Sequence, residues 1–466
     1  MPVSVIALDR TTGPASPAAG SGGDTPPLLP VVGADLRVPL VTGGSARYAN
    51  LDNAASTPAL AAVADHVTRV LPHYSSVHRG AGHASLVSTA LYEETRTAVA
   101  AFVGARAGDA VIVTRNTTDA LNLLAGAVPD QPGLPGDVVH LDVEHHANLL
   151  PWRRRRTVPA AATLAETLER LDDALRRRPA ALVAVTGASN VTGEVLPVPE
   201  LAALAHRHGA RIAVDGAQLV PHRRVDLAAW DVDYLAFSGH KLYAPFGAGV
   251  LVGRRDWLDA APPHLAGGGA VREVTLDGAR WAAAPERHEG GTPNVLGAAA
   301  LAEACRTLGA LPGGSLERHE HALLARLTAG LEALPGVAPL RIWPDSDDQV
   351  GVAGFSVAGH DAGRIAAYLS AEHGIGVRDG RFCAHPLLAR LGHDGGALRA
   401  SLGAGSRSED VDRLLGALER LLSEGEGWTY ARSAGRWAPS PDPRSLPFGL
   451  GTVPAAAVPA SPCSPA

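Results

Sequence analysis

Short apolar runs alternate with stretches in which apolar residues recur at helical spacing. The runs predict strands at residues 110–114, 138–142, 181–186, 212–215, 234–238 and 250–253. They are continuously apolar rather than alternating, as in strands that are buried on both faces. Helical spacing predicts helices at residues 91–103, 118–127, 199–208, 316–333 and 409–424. This order predicts an α/β fold whose large domain has a mainly parallel sheet sandwiched by helices.

Both ends of the chain lack this pattern. Residues 1–45 and 427–466 are rich in Gly, Pro, Ser and Ala and show no periodicity, so we predict two disordered tails, the second Pro/Ala-rich. The 466 residues are enough for two structured units. We assign residues 46–310 to the large domain and 311–426 to a smaller C-terminal α+β domain, in which a long helix precedes a strand-like segment at 352–357.

Composition and charge exclude several classes of function. Apolar residues make up 46% and charged residues 19%, which is ordinary for a soluble globular protein. The net charge of −6 argues against nucleic acid as a partner, and the absence of a signal-like start or a long apolar stretch argues against a membrane. The three cysteines are odd in number and far apart, so we expect no disulfide framework, no metal site and a cytoplasmic location.

Two predicted strands end in groups that suit one cofactor. Asp215 ends one apolar strand, and Ser238, Gly239, His240 and Lys241 follow another. Ligands bind at the carboxyl edge of such sheets. Pyridoxal 5′-phosphate (PLP) needs a lysine for its Schiff base and an acid that keeps its ring nitrogen protonated. On spacing alone, an incidental salt bridge between Asp215 and Lys241 is the favoured interpretation.

Two further segments follow predicted strands at the same edge. In one, Thr117 and Thr118 begin a helix, where free N–H groups and hydroxyls form an anion site, although such residues are most often only helix caps. In the other, His145 and His146 follow residue 142. A metal-binding pair is disfavoured because adjacent side chains on an extended chain point to opposite faces.

Together these motifs carry a family resemblance. The D-G-A-Q of residues 215–218, the S-G-H-K of 238–241, the R-x-E-x-G-T-P-N of 287–294 and the R-x-G-x-x-C-A of 378–384 are all present. Over about residues 48–424 the chain resembles class V of the fold-type I PLP-dependent enzymes, and is most similar to type II cysteine desulfurases. The resemblance implies PLP as the cofactor.

The resemblance also implies a role for each residue around the cofactor. Lys241 would carry PLP and Asp215 would pair with its ring nitrogen, while His145 would stack on the ring and share in proton transfer. Phosphate contacts would come from four residues: Thr117, Thr118, Ser238 and His240. Gln218 and Asn190 would lie by the phenolic oxygen. Gly291 and Thr292 would reach the phosphate in a neighbouring subunit, which implies a homodimer.

On the substrate side, the resemblance makes Cys383 the nucleophile that takes sulfur. Arg378 and Arg381 would favour its thiolate if they lie close. The alternative is a buried, inert cysteine. Arg399 would pair with the substrate carboxylate, and Asn190, Arg378 and His78 would lie near the substrate.

The resemblance therefore implies conversion of L-cysteine to L-alanine, with sulfur transferred to Cys383 as a persulfide and then to a sulfur-acceptor protein. Residues 405–407 (Gly-Ser-Arg) depart from the Y-N-T that desulfurases usually carry. This departure keeps open a class V aminotransferase, epimerase or carbon–sulfur lyase that acts on another amino acid without Cys383. A PLP-binding regulator is disfavoured because residues 1–45 cannot form a helix-turn-helix.

Overall fold

The computed structural model describes residues 23–78, 80–130, 136–433 and 435–451. Its helices are α1 (Ala61–Val70), α2 (His83–Phe102), α3 (Thr117–Ala127), α4 (His146–Leu149), α5 (Leu164–Arg177), α6 (Val198–Arg207), α7 (Arg255–Ala260), α8 (Val295–Gly309), α9 (Ser315–Ala333), α10 (Ala362–His373), α11 (His385–Arg390) and α12 (Ser408–Glu424). Its strands are β1 (Arg37–Pro39), β2 (Ser45–Arg47), β3 (Ala49–Asn50), β4 (Ala110–Thr114), β5 (Asp137–Leu141), β6 (Arg154–Val158), β7 (Leu182–Thr186), β8 (Arg211–Asp215), β9 (Tyr234–Ser238), β10 (Gly249–Gly253), β11 (Val271–Thr275), β12 (Gly278–Trp281), β13 (Val337–Pro339), β14 (Val352–Val357), β15 (Ile375–Gly376), β16 (Arg378–Gly380), β17 (Ala397–Ser401), β18 (Tyr430–Ser433) and β19 (Arg436–Pro439).

A seven-stranded sheet in the order β4-β10-β9-β8-β7-β5-β6 forms the centre of the large domain. Strand β10 is antiparallel to both of its neighbours, and the other strands all run in one direction. The six strands predicted from apolar runs are present with ends within one residue. The prediction of an α/β fold with a mainly parallel sheet is confirmed, and the carboxyl ends of β4, β5, β7, β8 and β9 meet at one edge.

Helix α2 differs most from its predicted bounds, since it begins at His83, eight residues before the predicted start. Its first turns bury Ser85 and Ser88 rather than leucines. The Ser88 hydroxyl donates to the His73 carbonyl at 3.2 Å, so a polar contact fixes this face. A buried face made of small hydroxyl residues gives no apolar stripe for sequence reasoning to detect.

The C-terminal region contains a second, four-stranded sheet in the order β13-β14-β17-β16, in which every pair is antiparallel. Helices α9, α10 and α12 pack with this sheet around a core that includes Leu323, Phe355, Leu369 and Leu414. Strand β17 lies next to the edge strand β16 and carries Arg399 in its middle. The α+β character matches the expectation, whereas the domain boundaries at residues 310 and 426 stay a prediction.

The predicted N-terminal tail differs from the structure over residues 23–45. The N–H groups of Leu28 and Leu29 both donate to the Ala404 carbonyl, at 2.8 and 3.0 Å, and β1 pairs with β2. Ala404 lies about 375 positions away from Leu28 and Leu29 in the sequence. Local composition therefore gives no sign of this order. Residues 1–22 of the predicted tail lie outside the described residues.

The predicted C-terminal tail also differs, since residues 430–439 form a hairpin of β18 and β19. Tyr430 is buried and its hydroxyl donates to Glu372 at 2.9 Å, which attaches the hairpin to α10. The ring of Trp437 lies under the Arg364 guanidinium, whose carbon is 5.0 Å from the ring centroid. Aromatic anchoring thus orders a segment that has a proline-rich composition. Residues 452–466 lie outside the described part.

Among the described helices, none combines the length and the apolar character needed to cross a membrane.

Candidate active site

A cavity of about 340 Å³ lies at the carboxyl edge of the large sheet, where the β16–β17 region of the small domain faces it. It collects most of the residues that the sequence predicted for one site. The predicted residues that line it are Thr117, Thr118, His145, Asn190, Asp215, Gln218, Ser238, His240, Lys241, Arg378, Cys383 and Arg399. Four predicted residues, His78, Gly291, Thr292 and Arg381, do not line the cavity within this chain.

Lys241 lies in a single 3₁₀ turn that directly follows β9. Gly239 permits this turn, because a Cβ at its position would lie 2.8 Å from the Ala248 carbonyl oxygen. Burial lowers the pKa of the Lys241 amine to about 8, although the nearby Asp215 carboxylate acts to raise it. Lys241 is also the only lysine in the whole sequence, a signal that motif reasoning missed.

Asp215 ends β8 and is 3% exposed. One carboxylate oxygen accepts a hydrogen bond from the Ala217 N–H at 3.0 Å. Burial raises the pKa of Asp215, while this N–H and the Lys241 charge act to lower it. The site therefore contains a carboxyl group and an amine whose opposite charges favour each other inside a water-poor cavity.

The N-terminus of α3 forms the opposite end of the cavity. Asn116 caps the helix by accepting from the Asp119 N–H at 2.9 Å, and Thr117 and Thr118 are its first residues. The Ser238 hydroxyl lies 2.7 Å from the Thr117 hydroxyl, which joins the ends of β9 and α3. Hydroxyl groups and the positive end of the helix dipole at a helix N-terminus favour an anion such as phosphate.

His145 precedes α4, and its Nδ1 accepts from the Ala147 N–H at 3.0 Å. Burial, together with the Lys241 charge, lowers the pKa of His145 to about 3. The ring is therefore neutral at pH 7, and its proton lies on Nε2 because Nδ1 is an acceptor. Burial likewise lowers the pKa of His240 to about 4. Across the described ranges, no group of three or more His, Cys, Asp or Glu could hold a metal ion.

Gln218 lines the cavity with an unusual amide. Its Nε2 donates to the Ala54 carbonyl at 2.7 Å, while its Oε1 is buried with no hydrogen-bond partner among the described residues. A buried polar atom without a partner is costly, so it indicates a group that accepts a ligand contact.

Arg399 extends from β17 into the cavity, and its side chain is 4% exposed. It donates to Asp52 at 2.9 Å and to the Asn190 carbonyl at 2.9 Å, while its Nε is buried without a partner. Burial lowers the pKa of Arg399, although Asp52 acts to raise it. Sequence reasoning missed Asp52, since it lies 347 positions away from the arginine it pairs with.

Cys383 lies in a tight turn between β16 and α11. Phe382 and Cys383 both have positive φ angles, 51° and 52°, a left-handed conformation that is unfavourable for non-glycine residues. Two hydrogen bonds hold the turn against the large domain: the His146 N–H donates to the Cys383 carbonyl and the Asn190 amide donates to the Phe382 carbonyl, both at 2.8 Å. Asn190 therefore contributes to the site by binding the turn that carries Cys383.

The two cysteines of the described part differ sharply. Cys305 is buried inside α8, and burial raises the pKa of its thiol. Cys383 is half-buried and lines the cavity. Full burial therefore applies to Cys305 and not to Cys383, while the role of Cys383 as a nucleophile stays a prediction.

The atypical loop at residues 405–407 lies away from the cavity lining. A Cβ on Gly405 would come 2.6 Å from a methyl group of Val31, so the loop is packed against the N-terminal segment. The loop that differs from the usual Y-N-T therefore packs against Val31, and its residues do not line the cavity of this chain.

His78 lies on the loop before α2, where its Nε2 is 3.0 Å from Glu93 Oε1. Gly291 and Thr292 precede α8. The prediction that these glycine and threonine residues serve a second subunit concerns an assembly of two chains, and it stays a prediction.

Comparison with known proteins agrees with this geometry. The aminotransferase class-V family profile matches residues 49–414. A protein of Dickeya dadantii (strain 3937) named cysteine desulfurase is 38% identical over 388 residues, which are 80% of this chain and 92% of that protein. Similar solved structures include a cysteine desulfurase of Escherichia coli (TM-score 0.72, 33% identity) and the apo cysteine desulfurase of Thermococcus onnurineus NA1 (TM-score 0.73, 34% identity). Each similarity covers 80% of this chain and 94% of the solved chain. The chain belongs to the aminotransferase class-V family, a family of PLP-dependent enzymes.

Proposed function

We propose that this chain is a PLP-dependent cysteine desulfurase that converts L-cysteine to L-alanine and passes the sulfur to Cys383. The observation that carries the proposal is that Lys241, Asp215, Arg399 and Cys383 all line one cavity of about 340 Å³. The similarity to relatives named cysteine desulfurase over 80% of the chain supports the same reaction.

The residues of the cavity fit PLP in three respects. The α3 N-terminus, with Thr117, Thr118, Ser238 and His240 beside it, suits the phosphate. Asp215 suits a protonated ring nitrogen, and the buried Oε1 of Gln218 is an acceptor that awaits a donor. Lys241 would form the covalent link, because a lowered pKa leaves part of its amine uncharged at pH 7.

When bound, PLP would supply an electron-withdrawing ring that stabilises negative charge on the substrate Cα. Lys241 would take the Cα proton and later return a proton to the substrate. His145 would support the ring as a neutral imidazole, since its pKa lies near 3. Arg399 would hold the substrate carboxylate, because a buried guanidinium fork binds a carboxylate with two parallel hydrogen bonds.

Cys383 would be the side chain that receives the sulfur. Its thiolate would attack the substrate sulfur, so that a new S–S bond forms as the Cβ–S bond breaks. The electron pair of the broken bond returns to the substrate, which takes up a proton to give the methyl group of alanine. The fixed turn around Phe382 and Cys383 supports this role, because a nucleophile held in place loses little entropy when it reacts.

We further propose a homodimer in which Gly291 and Thr292 of one copy complete the phosphate site of the other. The persulfide would pass to a sulfur-acceptor protein. We also propose a cytoplasmic location, because the three cysteines are few and far apart in the sequence.

The decisive experiment replaces Cys383 with Ala and measures alanine formation from L-cysteine by mass spectrometry. We expect C383A to lose activity by about a hundredfold or more while the visible absorbance of the bound cofactor is unchanged. The control is C463A, which also removes a thiol. Mass spectrometry should find an added sulfur atom on Cys383 of the wild type.

If C383A forms alanine at the wild-type rate with its cofactor intact, the persulfide role is wrong. That result would favour a lyase, epimerase or aminotransferase that does not use Cys383.

A further inference from the structure

A second cavity, of about 390 Å³, adjoins the active site and is built in part by a segment outside the family match. Its walls are β16, the N-terminal half of α10 and the β18–β19 hairpin. The hairpin spans residues 430–439, whereas the family profile ends at residue 414. We call this second cavity the hairpin groove.

Two residues connect the hairpin groove to the active site. Arg378 lines both cavities. Asp52 lines the hairpin groove and accepts the 2.9 Å hydrogen bond from Arg399, the residue proposed to hold the substrate carboxylate. The groove therefore adjoins the carboxylate end of the substrate site.

Guanidinium groups give the groove its chemistry. Among the described residues, the side chains of Arg378, Arg432 and Arg436 make no hydrogen bond and no ion pair, although all three line the groove. The indole N–H of Trp437 is also buried without an acceptor. Arg432 is exposed to solvent, whereas Arg378, Arg436 and Trp437 are half-buried. Half-buried donors that face one cavity without a protein acceptor favour an anion with several acceptor oxygens.

Three carboxylates also line the groove, and two of them, Asp361 and Asp52, are engaged by other groups. Asp361 is engaged as the cap of α10, where it accepts from the N–H groups of Gly363 and Arg364 at 2.8 and 3.2 Å. Burial raises the pKa of Asp379, whereas Arg378 and Arg436 act to lower it. Asp52 is bound to Arg399.

We propose that the hairpin groove is a substrate subsite that binds the terminal carboxylate of a cysteinyl peptide, with cysteine as the N-terminal residue. This inference rests on the proposed function. The reaction needs the α-amine, the Cα proton and the thiol of the cysteine inside the active site, so only its carboxyl side is available for extension. One added residue moves the carboxylate by about 3.8 Å along the chain, away from Arg399 and toward the groove.

The chemistry of the peptide balances as it does for L-cysteine. The thiolate of Cys383 forms an S–S bond with the substrate sulfur while the Cβ–S bond breaks. The electron pair returns to the peptide, which takes up a proton and leaves as an alanyl peptide. The peptide bond itself is unchanged.

The test compares L-cysteinylglycine with its C-terminal amide, which differs only in lacking the carboxylate. We expect the holoenzyme to prefer the acid by about tenfold or more in kcat/KM, the effect of a charge-assisted hydrogen bond. In R436Q this preference should fall toward one. R153Q, which removes an exposed arginine outside both cavities, should retain it. An equal kcat/KM for acid and amide, or equal preferences in R436Q and R153Q, would overturn the proposal.

A binding measurement separates this proposal from the reaction itself. Calorimetric titration of the holoenzyme with L-alanylglycine and its amide, the expected products, needs no turnover. We expect tighter binding of the acid, with the difference lost in R436Q. If the preference persists while L-cysteine gives no alanine, the proposed function fails and the subsite stands. If L-cysteine is converted and acid and amide bind equally, the subsite is refuted.

A third arm distinguishes a carboxylate on the substrate from a separate anion. Acetate is added to assays with L-cysteine and with the peptide. If acetate raises activity toward L-cysteine and the peptide acid shows no advantage over its amide, the groove binds a separate anion and the peptide proposal is overturned. Competition by acetate against the peptide acid, but not against its amide, supports the proposal.

Discussion

We expect Lys241 of the cofactor-depleted protein to react as an amine far faster at neutral pH than an exposed lysine. Burial lowers its pKa from 10.5 to about 8, and only the uncharged amine is nucleophilic. At pH 7 about 10% of the amine is uncharged when the pKa is about 8, against about 0.03% at a pKa of 10.5. The cavity thus raises the reactive fraction by about three hundredfold.

The sign of the pH dependence follows from this shift. Because the folded pKa is lowered, the rate of reaction should rise about tenfold per pH unit below pH 8 and level off above it. The assay measures acylation by a small reagent at a series of pH values, with the Lys241 peptide quantified by mass spectrometry. A synthetic peptide with the sequence around Lys241 is the control, and its rate should level off only near pH 10.5.

Asp215→Asn supplies a second perturbation. The Asp215 carboxylate acts to raise the pKa of Lys241, so its removal should move the midpoint to lower pH. A wild-type midpoint near that of the synthetic peptide, or a D215N midpoint at higher pH than the wild type, would refute the electrostatic account of the site.

Three further predictions concern the support of the cavity. Gly249→Ala should lower the free energy of unfolding by about 2 kcal/mol and weaken PLP binding, because its Cβ would lie 2.6 Å from the backbone of Asn116, which caps α3. The control is Gly108→Ala, which has open space around it and should leave the PLP affinity unchanged in a spectroscopic titration. Asp52→Asn should raise KM for L-cysteine, because Arg399 loses a charged partner. It should also lower the free energy of unfolding by about 2 kcal/mol, measured by urea denaturation. An unchanged KM would show that this ion pair does not support substrate binding. Glu144→Gln should raise Tm at pH 7. Burial raises the pKa of Glu144 well above 4.5, so the wild type loses stability as the pH rises above the pKa of this group in the unfolded chain, and glutamine removes that loss. A gain in Tm that becomes smaller between pH 5 and pH 8 would contradict this.

The sequence was most informative where burial and local chemistry agree. Strands such as Tyr234–Ser238 are apolar on both faces, so their ends were predictable within one residue. The residues that occupy those ends could therefore be assigned to the site as well. Lys241, Asp215 and Thr117 share the cavity because parallel strands deliver their carboxyl ends to one edge.

Long-range contacts account for what the sequence did not reveal. Asp52 pairs with Arg399 across most of the chain, and Leu28 binds the Ala404 carbonyl in the same way. No local pattern marks either contact. The hairpin beside the groove is attached through Trp437 and Tyr430, two aromatic residues in a proline-rich segment, whose positions follow from their contacts with α10.

The single lysine has a practical consequence. Of the 41 Lys and Arg residues, 40 are arginine, so the surface of this protein carries positive charge without side-chain amines. Apart from the amino terminus, amine-directed dyes, cross-linkers and immobilisation resins have one atom to attack, and that atom lies in the active site. Procedures that are harmless for most proteins would therefore inactivate the cofactor-free form of this one, and the extent of lysine labelling would report directly how many active sites are empty.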